Sequence, residues 1–309
     1  MTAVRHPAES RRPAGIRHTQ SLRDAIAAAG MTPPACIPQG RFVRFPGVGK
    51  RRGNTAGWCK LITPTLAVFG DWSTGLTAVW RDASHRDDAQ TRAALERARE
   101  EARRLAAEER ARQEQVAAQA AQIVRAAVLS THPYLARKGF PHMSALVHEG
   151  KLVVPVRDAE SYERVISAQL IDEDGTKRFL PGGRTKGGIY RLGQPPARAR
   201  YVLLCEGYAT ALSIDAAMAR LSPSRAVIAC FSARNVEFVA RRFPRAIVCA
   251  DNDASRTGEE AARRTGLRWC MPPEVGQDFN DLHVRHGLTA VVEVLRGVIT
   301  RAPPGHCGD

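Results

Sequence analysis

Paired cysteines are missing from this sequence: its seven cysteines are scattered, and no two of them form a C-x-x-C pair. Their absence excludes a zinc ribbon and leaves no disulfide framework, so no zinc is expected. Long apolar runs are missing as well, since no stretch reaches the roughly 20 residues of a membrane span. The first residues also lack the apolar core of a secretory signal. We therefore expect a cytoplasmic protein that makes no membrane contact.

The P-loop pattern G-x-x-x-x-G-K-[ST] is absent too, although residues 46–53 and 176–193 are both rich in glycine and basic side chains. Positive charge, in contrast, is in excess. The chain has 46 Lys and Arg against 31 Asp and Glu, a formal net charge of +15. Such an excess favours a polyanionic partner, usually nucleic acid. The composition bias of a GC-rich genome is the alternative explanation.

The positive charge is concentrated near the N-terminus. Residues 1–60 hold eleven Lys or Arg and two acids, so 11 − 2 = +9 of the net charge lies there. Residues 1–20 are predicted to be a disordered basic tail. A helix capped by Ser21 and several short strand patterns predict a small α+β unit over 21–82. Its tryptophans either stack on bases or form its core. The candidate contacts to DNA phosphates are Arg41, Arg44, Lys50, Arg51 and Arg52.

Two further segments precede the last third of the chain. Residues 83–129 contain neither glycine nor proline and are rich in Ala, Glu and Arg, which predicts a long charged helix acting as a linker. Residues 130–198 begin with alternating apolar and polar residues, the pattern of hairpin strands. They continue into 176–193, where five glycines and five Lys or Arg suit close approach to phosphates. A flexible hairpin in a basic protein is the alternative.

The last third alternates short apolar runs with helical patterns, and this predicts a parallel sheet covered by helices over 199–297. A flexible tail is expected over 298–309. Acids follow three of the four runs and should therefore meet at the carboxyl ends of the strands. Crowded carboxylates repel one another unless a cation lies among them, and Mg²⁺ suits oxygen ligands. Taken singly, each acid is better explained as a helix cap or an exposed surface residue, whereas the ordered set at strand ends favours a metal site. These acids are Glu206, Asp251, Asp253, Asp278 and Asp281.

Glu-Gly after the first run, Asp-x-Asp after the third and the acidic segment 276–283 resemble the Toprim domain of bacterial-type primases, topoisomerases and some nucleases. This resemblance covers roughly residues 200–290. The stretch in front, from "LVVPVRD" to "GGIYRLG", resembles the segment that precedes Toprim in bacterial-type primases. It is most similar to primases of plasmids, phages and other mobile elements.

The resemblance implies a primase that polymerises ribonucleotides on single-stranded DNA with Mg²⁺ or Mn²⁺. Glu206 would assist proton transfer from the attacking 3′-hydroxyl or contact the metal. Asp251 and Asp253 would hold the metal, and Asp278 and Asp281 would complete its shell. A replicative helicase is a further candidate partner. The basic residues expected beside nucleotide and primer are Lys177, Arg178, Arg184 and Lys186.

The sequence departs from replicative primases in two respects. Thr210 stands where those enzymes have an Asp, and no zinc ribbon precedes the domain. A Toprim nuclease and a non-catalytic single-strand-binding accessory protein therefore remain as alternatives. A phosphatase with Asp251 as nucleophile would leave Glu206 and the later acids unexplained. The predicted fold is α/β: a C-terminal Toprim domain preceded by a mixed α+β primase-type subdomain, the long helix and the small N-terminal unit.

Overall fold

The computed structural model of the protein describes residues 21–50, 53–83 and 88–300. The chain divides into two compact units, Met1–Glu109 and Arg110–Asp309. The tail predicted over residues 1–20 lies outside the described residues, as do 301–309. The tail predicted from residue 298 begins too early, because the last helix continues to Ile299.

The first unit contains a four-stranded antiparallel sheet in the order β1-β2-β3-β4. A short helix precedes the sheet, and the Ser21 hydroxyl caps it by accepting the N–H of Asp24 at 3.1 Å, as the sequence predicted. The elements are α1 (Leu22–Ala28), β1 (Phe42–Phe45), β2 (Gly57–Thr63), β3 (Leu66–Asp71) and β4 (Leu76–Arg81).

Strand β3 shows how this unit builds its core, since every one of its residues is buried. Successive side chains of a strand point to opposite faces. Ala67 and Phe69 accordingly pack with α1, whereas Leu66 and Val68 pack with the long helix α2 (Ala89–Ala126). Tryptophans contribute to both clusters, so they form core rather than an open stacking platform. They are Trp58, Trp72 and Trp80.

Helix α2 is 38 residues long, and the boundary between the units falls inside it. Within the first unit its Leu95, Ala98 and Ala102 are buried against the sheet. Within the second unit Val116 and Ala120, four residues apart, pack on β-strands. The sequence predicted a long charged linker helix, and the burial of these apolar positions was not part of that prediction. The composition of the helix predicts that it is highly charged, but it does not reveal which strands its small apolar residues pack against.

The second unit contains a ten-stranded sheet. Its strands are β5 (Val128–Ser130), β6 (Ala145–His148), β7 (Lys151–Asp158), β8 (Val165–Ile171), β9 (Lys177–Phe179), β10 (Gly188–Gly193), β11 (Tyr201–Cys205), β12 (Arg225–Ala229), β13 (Ile247–Cys249) and β14 (Arg268–Cys270). Its helices are α3 (Pro133–Arg137), α4 (Tyr208–Leu221), α5 (Ala233–Ala240), α6 (Thr257–Thr265) and α7 (Phe279–Ile299).

The main path through this sheet is β14-β13-β11-β12-β10-β7-β6-β5, and β8 and β9 extend from β7. The first four of these strands run parallel, while β10 joins β12 in the antiparallel sense. Helices α4 and α7 cover one face of the parallel strands, and α5 and α6 cover the other. The predicted fold class is confirmed. In the described part of the chain, no helix combines the length and apolar character that crossing a membrane requires.

Candidate active site

Two neighbouring strands bring the first candidate acids to one edge of the sheet. Strands β11 and β13 pair in parallel, with Cys205 opposite Cys249. Glu206 follows the first strand directly, and Asp251 follows the second after one further residue. The carboxyl ends of parallel strands are where such folds bind ligands. Glu206 and Asp251, which are 45 residues apart in the sequence, therefore occupy the same rim.

The carboxylate of Asp251 lies in an unfavourable environment. Its Oδ1 is buried and has no hydrogen-bond partner among the described residues. Burial raises the pKa of Asp251 to about 8, and repulsion from Glu206 and Asp278 adds to the effect. A buried acceptor without a partner costs free energy, so an orphaned oxygen in a native fold calls for an explanation. Among the described residues, Asp251 Oδ1 is a buried carboxylate oxygen that no protein group satisfies.

Glu206 shares part of this environment. Burial raises its pKa, and the N–H of Ala233, at the start of α5, opposes the rise by donating to the carboxylate. The main chain around it is also fixed, because the N–H of Phe231 donates to the carbonyl oxygen of Glu206 at 2.7 Å. Phe231 has φ of 67°, in the left-handed region that non-glycine residues rarely adopt. Such strain tends to persist where surrounding contacts hold a functional segment in place.

Asp253 has a different role in this structure. Its Oδ1 accepts the N–H of Thr257 at 3.1 Å, and its Oδ2 accepts the N–H of Gly258 at 3.0 Å. The Ser255 hydroxyl donates to it as well. Partial burial tends to raise the pKa of Asp253, but these hydrogen bonds have the larger combined effect, and the pKa is lowered. Asp253 therefore supports the N-terminus of α6, which is the capping role that the sequence argument kept open.

The acids of the third segment are also occupied by protein groups. Asp278 and Asp281 form a capping box at the start of α7. The N–H of Asp281 donates to Asp278 Oδ1 at 2.8 Å, and the N–H of Asp278 donates to Asp281 Oδ2 at 3.2 Å. Thr210 adds a third bond, from its hydroxyl to Asp278 Oδ2 at 3.1 Å. The position that lacks an acid thus supplies a hydrogen-bond donor to another acid of the site.

Asn252 joins the Asp-x-Asp loop to the third acidic segment. Its N–H donates to the carbonyl of Gln277 at 2.9 Å, and its own carbonyl accepts the N–H of Gly276 at 2.6 Å. Its side-chain Nδ2 donates to the carbonyl of Pro272 at 2.9 Å. Sequence reasoning missed this residue, because the middle position of Asp-x-Asp carries no signal of its own. The arrangement fixes the spacing between Asp251 and the segment that contains Asp278.

Gly258 allows the close approach of α6 to the Asp-x-Asp loop. A Cβ atom at this position would lie 2.5 Å from the carbonyl oxygen of Asp251 and 3.1 Å from its nitrogen. Any other residue would therefore displace the main chain of Asp251. This is a second site residue that the sequence analysis did not single out, although it lies within the segment "ASRTGEE".

The donor set suits a hard divalent cation, but the predicted five-acid shell is not assembled. Among the residues that the structure describes, no three or more His, Cys, Asp or Glu side chains are grouped so as to hold a metal. In this structure Asp253, Asp278 and Asp281 accept hydrogen bonds from protein N–H groups. Mg²⁺ often uses one or two carboxylates and completes its shell with substrate phosphates and water. The orphaned oxygen of Asp251 beside Glu206 fits that smaller requirement.

Strand β9 brings the basic hairpin close to this rim. The Nζ of Lys177 lies 5.6 Å from the ring centroid of Tyr134, whose buried hydroxyl has no partner within the described residues. Burial raises the pKa of Tyr134 to about 12, and the charge of Asp278 contributes to the rise. Phe179 of the same strand meets Phe231 edge-on, with the ring centroids 5.6 Å apart. Lys177 thus lies over Tyr134, and Phe179, two residues later in the same strand, contacts the residue that follows Cys230 after β12.

The other basic candidates of the hairpin have separate contacts. Arg178 lies 3.7 Å from a carboxylate oxygen of Asp172, and Arg184 forms an ion pair with Asp158. The Nζ of Lys186 lies 4.9 Å from the ring centroid of Phe238 on α5. Acids therefore partly neutralise the two arginines, whereas both lysines lie over aromatic rings.

In the first unit the described candidate DNA contacts, Arg41, Arg44 and Lys50, precede or lie within a glycine-rich segment of the sequence. Arg41 and Lys50 are exposed, and the guanidinium of Arg44 lies 4.4 Å from the ring centroid of Trp72. Arg51 and Arg52 lie outside the described residues. Sequence analysis missed Asp71, a fully buried acid whose Oδ2 accepts the N–H of Val48 at 2.8 Å. This hydrogen bond from Val48 to Asp71 holds the turn in place.

Comparison with known proteins agrees with this geometry. Residues 201–289 match the family model described as the Toprim domain, and this part of the chain is a Toprim domain. The chain is similar to two Escherichia coli proteins named DNA primase TraC. One is 30% identical over 196 residues, which cover 58% of this chain and 13% of the relative. The other is 30% identical over 221 residues, which cover 67% of this chain and 19% of the relative. The matched segments thus span less than a fifth of either relative.

Two solved structures show weaker similarity. One contains the bacteriophage T7 lagging-strand DNA polymerase with primase domains of two gp4 subunits bound to an RNA/DNA hybrid and dTTP. A chain of that structure matches at a TM-score of 0.41 and 14% identity, covering 58% of this chain and 94% of its own length. The other is a DNA primase domain from Pseudomonas aeruginosa, which matches at a TM-score of 0.34 and 18% identity. The match covers 58% of this chain and 57% of that chain.

Proposed function

We propose that this protein is a Toprim-type primase that synthesises short RNA primers on single-stranded DNA during replication of a plasmid, phage or integrative element. The observation that carries the proposal is the pair Glu206 and Asp251 at adjacent strand ends, with the orphaned Asp251 Oδ1 between acids. Similarity to proteins named DNA primase supports the reaction class. The basic hairpin with Lys177 beside the rim supports a substrate rich in phosphate.

Each site residue has a proposed role that follows from its position. Asp251, with Glu206, would hold the divalent cation that neutralises the triphosphate and the pyrophosphate leaving group when bound. Glu206 would accept the proton of the attacking 3′-hydroxyl or, alternatively, contact the cation. Lys177 and Lys186 bind nucleotide and primer phosphates through their ammonium groups. Asp253 and Asp278 keep the two acidic loops in position through the backbone N–H groups that they accept.

The first unit supplies a second contact to the template. Arg41, Arg44 and Lys50 surround the turn that Asp71 holds, and phosphates are the natural ligands of such a cluster. A replicative helicase is proposed as a partner that brings the primase to the separated strands.

The test is RNA synthesis by the purified full-length chain on single-stranded DNA with labelled ribonucleotides and Mg²⁺ or Mn²⁺. Glu206→Gln should lower synthesis by about 100-fold or more, and Asp251→Asn should abolish it. Glu293→Gln is the matched control, because it neutralises an exposed acid on α7 and should leave synthesis unchanged. Shortened DNA in place of new RNA would identify a nuclease. DNA binding without either product would identify an accessory protein. Either result rejects the proposal.

A further inference from the structure

Helix α5 carries an exposed ridge of two arginines and a phenylalanine. Arg234, Phe238 and Arg241 are spaced four and three residues apart, so they lie on one face of the helix. Arg241 caps the helix and keeps helical angles, with φ −59° and ψ −21°. Both arginines are exposed, and 37% of Phe238 is open to solvent. We call these three residues the α5 ridge.

The arginines of the α5 ridge have no acid to pair with. Within the described residues, neither guanidinium has an ion pair or a side-chain hydrogen bond. The single acid of α5, Glu237, accepts instead from Arg264 at 2.8 Å. The neighbouring Arg242 likewise forms an ion pair, with its Nη1 2.8 Å from Oε1 of Glu160. The fold thus pairs the surrounding cations and leaves those of the ridge open to an external anion.

Phe238 is held in place from the side of the basic hairpin. The Nζ of Lys186 lies 4.9 Å from the ring centroid, and a Cβ on Gly187 would lie 3.1 Å from the ring edge. Buried Asn235 anchors this loop, accepting the N–H of Gly187 at 2.8 Å and donating to the carbonyl of Gly188 at 2.8 Å. An aromatic ring that is fixed, partly exposed and flanked by cations suits stacking with a base.

The α5 ridge begins at the active site. The N–H of Phe231 donates to the carbonyl oxygen of Glu206 at 2.7 Å, and α5 starts two residues later, at Ala233. Arg234 is the next residue, and Arg241 lies roughly 10 Å further along the helix at 1.5 Å per residue. A strand that leaves the active site along α5 would therefore meet the ridge.

We propose that the α5 ridge, together with Lys186, binds single-stranded DNA where it passes the active site. The guanidinium groups contact phosphates, and Phe238 stacks on an unpaired base. That the strand passes the active site depends on the proposed primase function. Binding of DNA to the α5 ridge can be measured in an assay that requires no RNA synthesis. A duplex offers the same phosphates and hides its bases, so Phe238 should contribute to binding of single strands only.

The experiment measures fluorescence anisotropy of a labelled short oligothymidylate, and of a duplex of equal length, with the full-length protein over a range of salt concentrations. Arg234→Ala and Arg241→Ala should each weaken binding several-fold and reduce the slope of log affinity against log salt by about 0.7. Phe238→Leu keeps an apolar side chain against Gly187. It should weaken single-strand binding about 5-fold or more with an unchanged salt slope and unchanged duplex binding.

Arg296→Ala is the matched control, since Arg296 is an exposed arginine in the last turn of α7. The proposal is overturned if the ridge variants bind like the wild type, or if Arg296→Ala loses as much affinity as Arg234→Ala. It is also overturned if Phe238→Leu weakens duplex binding equally. Absence of RNA synthesis by the wild type, with the ridge effects intact, would reject the primase function and leave the binding site standing.

Discussion

Thr210 donates its hydroxyl hydrogen to Oδ2 of Asp278 across 3.1 Å, which joins the first turn of α4 to the N-terminal cap of α7. Only 1% of Thr210 is exposed, so water does not compete for this bond. The other oxygen of Asp278 accepts the N–H of Asp281. Both oxygens are thus engaged, and Asp278 is fixed at the rim by neutral donors.

Thr210→Val removes the hydroxyl and keeps the shape of the side chain. Because it leaves a carboxylate oxygen of Asp278 without its donor, we expect a loss of about 1.5–3 kcal/mol in the free energy of unfolding. Thr210→Ser keeps the donor and should remain closer to the wild type. Urea denaturation of the three proteins checks this. Equal midpoints for Thr210→Val and the wild type would show that the bond contributes nothing.

Thr210→Asp replaces the donor with a second carboxylate beside Asp278. Without divalent cations the two charges repel, so the variant should melt below the wild type. Added Mg²⁺ or Mn²⁺ should restore more of its melting temperature than the wild type gains. Thermal melting with and without EDTA measures both quantities. An equal gain in the two proteins would mean that the extra acid faces no cation site.

Asp251→Asn should stabilise the protein while it abolishes synthesis. The substitution removes a carboxylate whose burial and acidic neighbours raise its pKa to about 8, and the new amide can donate to those neighbours. We expect a gain of at least about 1 kcal/mol in EDTA, or about 2–4 °C in melting temperature per kcal/mol. The gain should shrink when Mg²⁺ is present. A variant less stable than the wild type in EDTA would mean that Asp251 has a partner in solution.

Substitutions of Asp253 distinguish a helix-capping role of this residue from a metal-binding role. Asp253→Ala removes the acceptors of Thr257 and Gly258 and should cost about 1–2 kcal/mol. Asp253→Asn keeps one acceptor oxygen and should cost less. If Asp253 also holds the cation, RNA synthesis falls in both variants regardless of stability. Full synthesis by Asp253→Asn would restrict Asp253 to capping. Melting curves and the synthesis assay on the same preparations give the answer.

The sequence predicted those parts of the site that depend on local pattern. The continuous apolar runs before Glu206 and Asp251 identify buried parallel strands, and the acids follow them directly. The pairing of β10 with β12 was not predictable in this way, because it joins segments that no local pattern relates. Nor were the bonds from Thr210 to Asp278 and from Asn252 to Gln277. Each depends on two distant residues meeting in the fold, and neither residue type reveals its partner.

Gly258 gives the most direct test of whether the Asp-x-Asp loop must approach α6 closely. A methyl group there would lie 2.5 Å from the carbonyl oxygen of Asp251, and that backbone oxygen cannot turn aside as a side chain would. Gly258→Ala should therefore shift Asp251, cost about 1–3 kcal/mol of stability and abolish synthesis. Gly297→Ala is its control, because a Cβ at Gly297 on α7 meets nothing within 4 Å.

Alanine stabilises helix interiors relative to glycine by about 0.5–1 kcal/mol, so Gly297→Ala should melt at or above the wild type and retain full synthesis. Melting curves and RNA synthesis of both variants check the pair. Because the same methyl group is added to a helix each time, a difference between them measures the contact with Asp251 and not the propensity of the residue. Retained synthesis in Gly258→Ala would show that the loop adjusts, and that the position of Asp251 does not depend on its packing against α6.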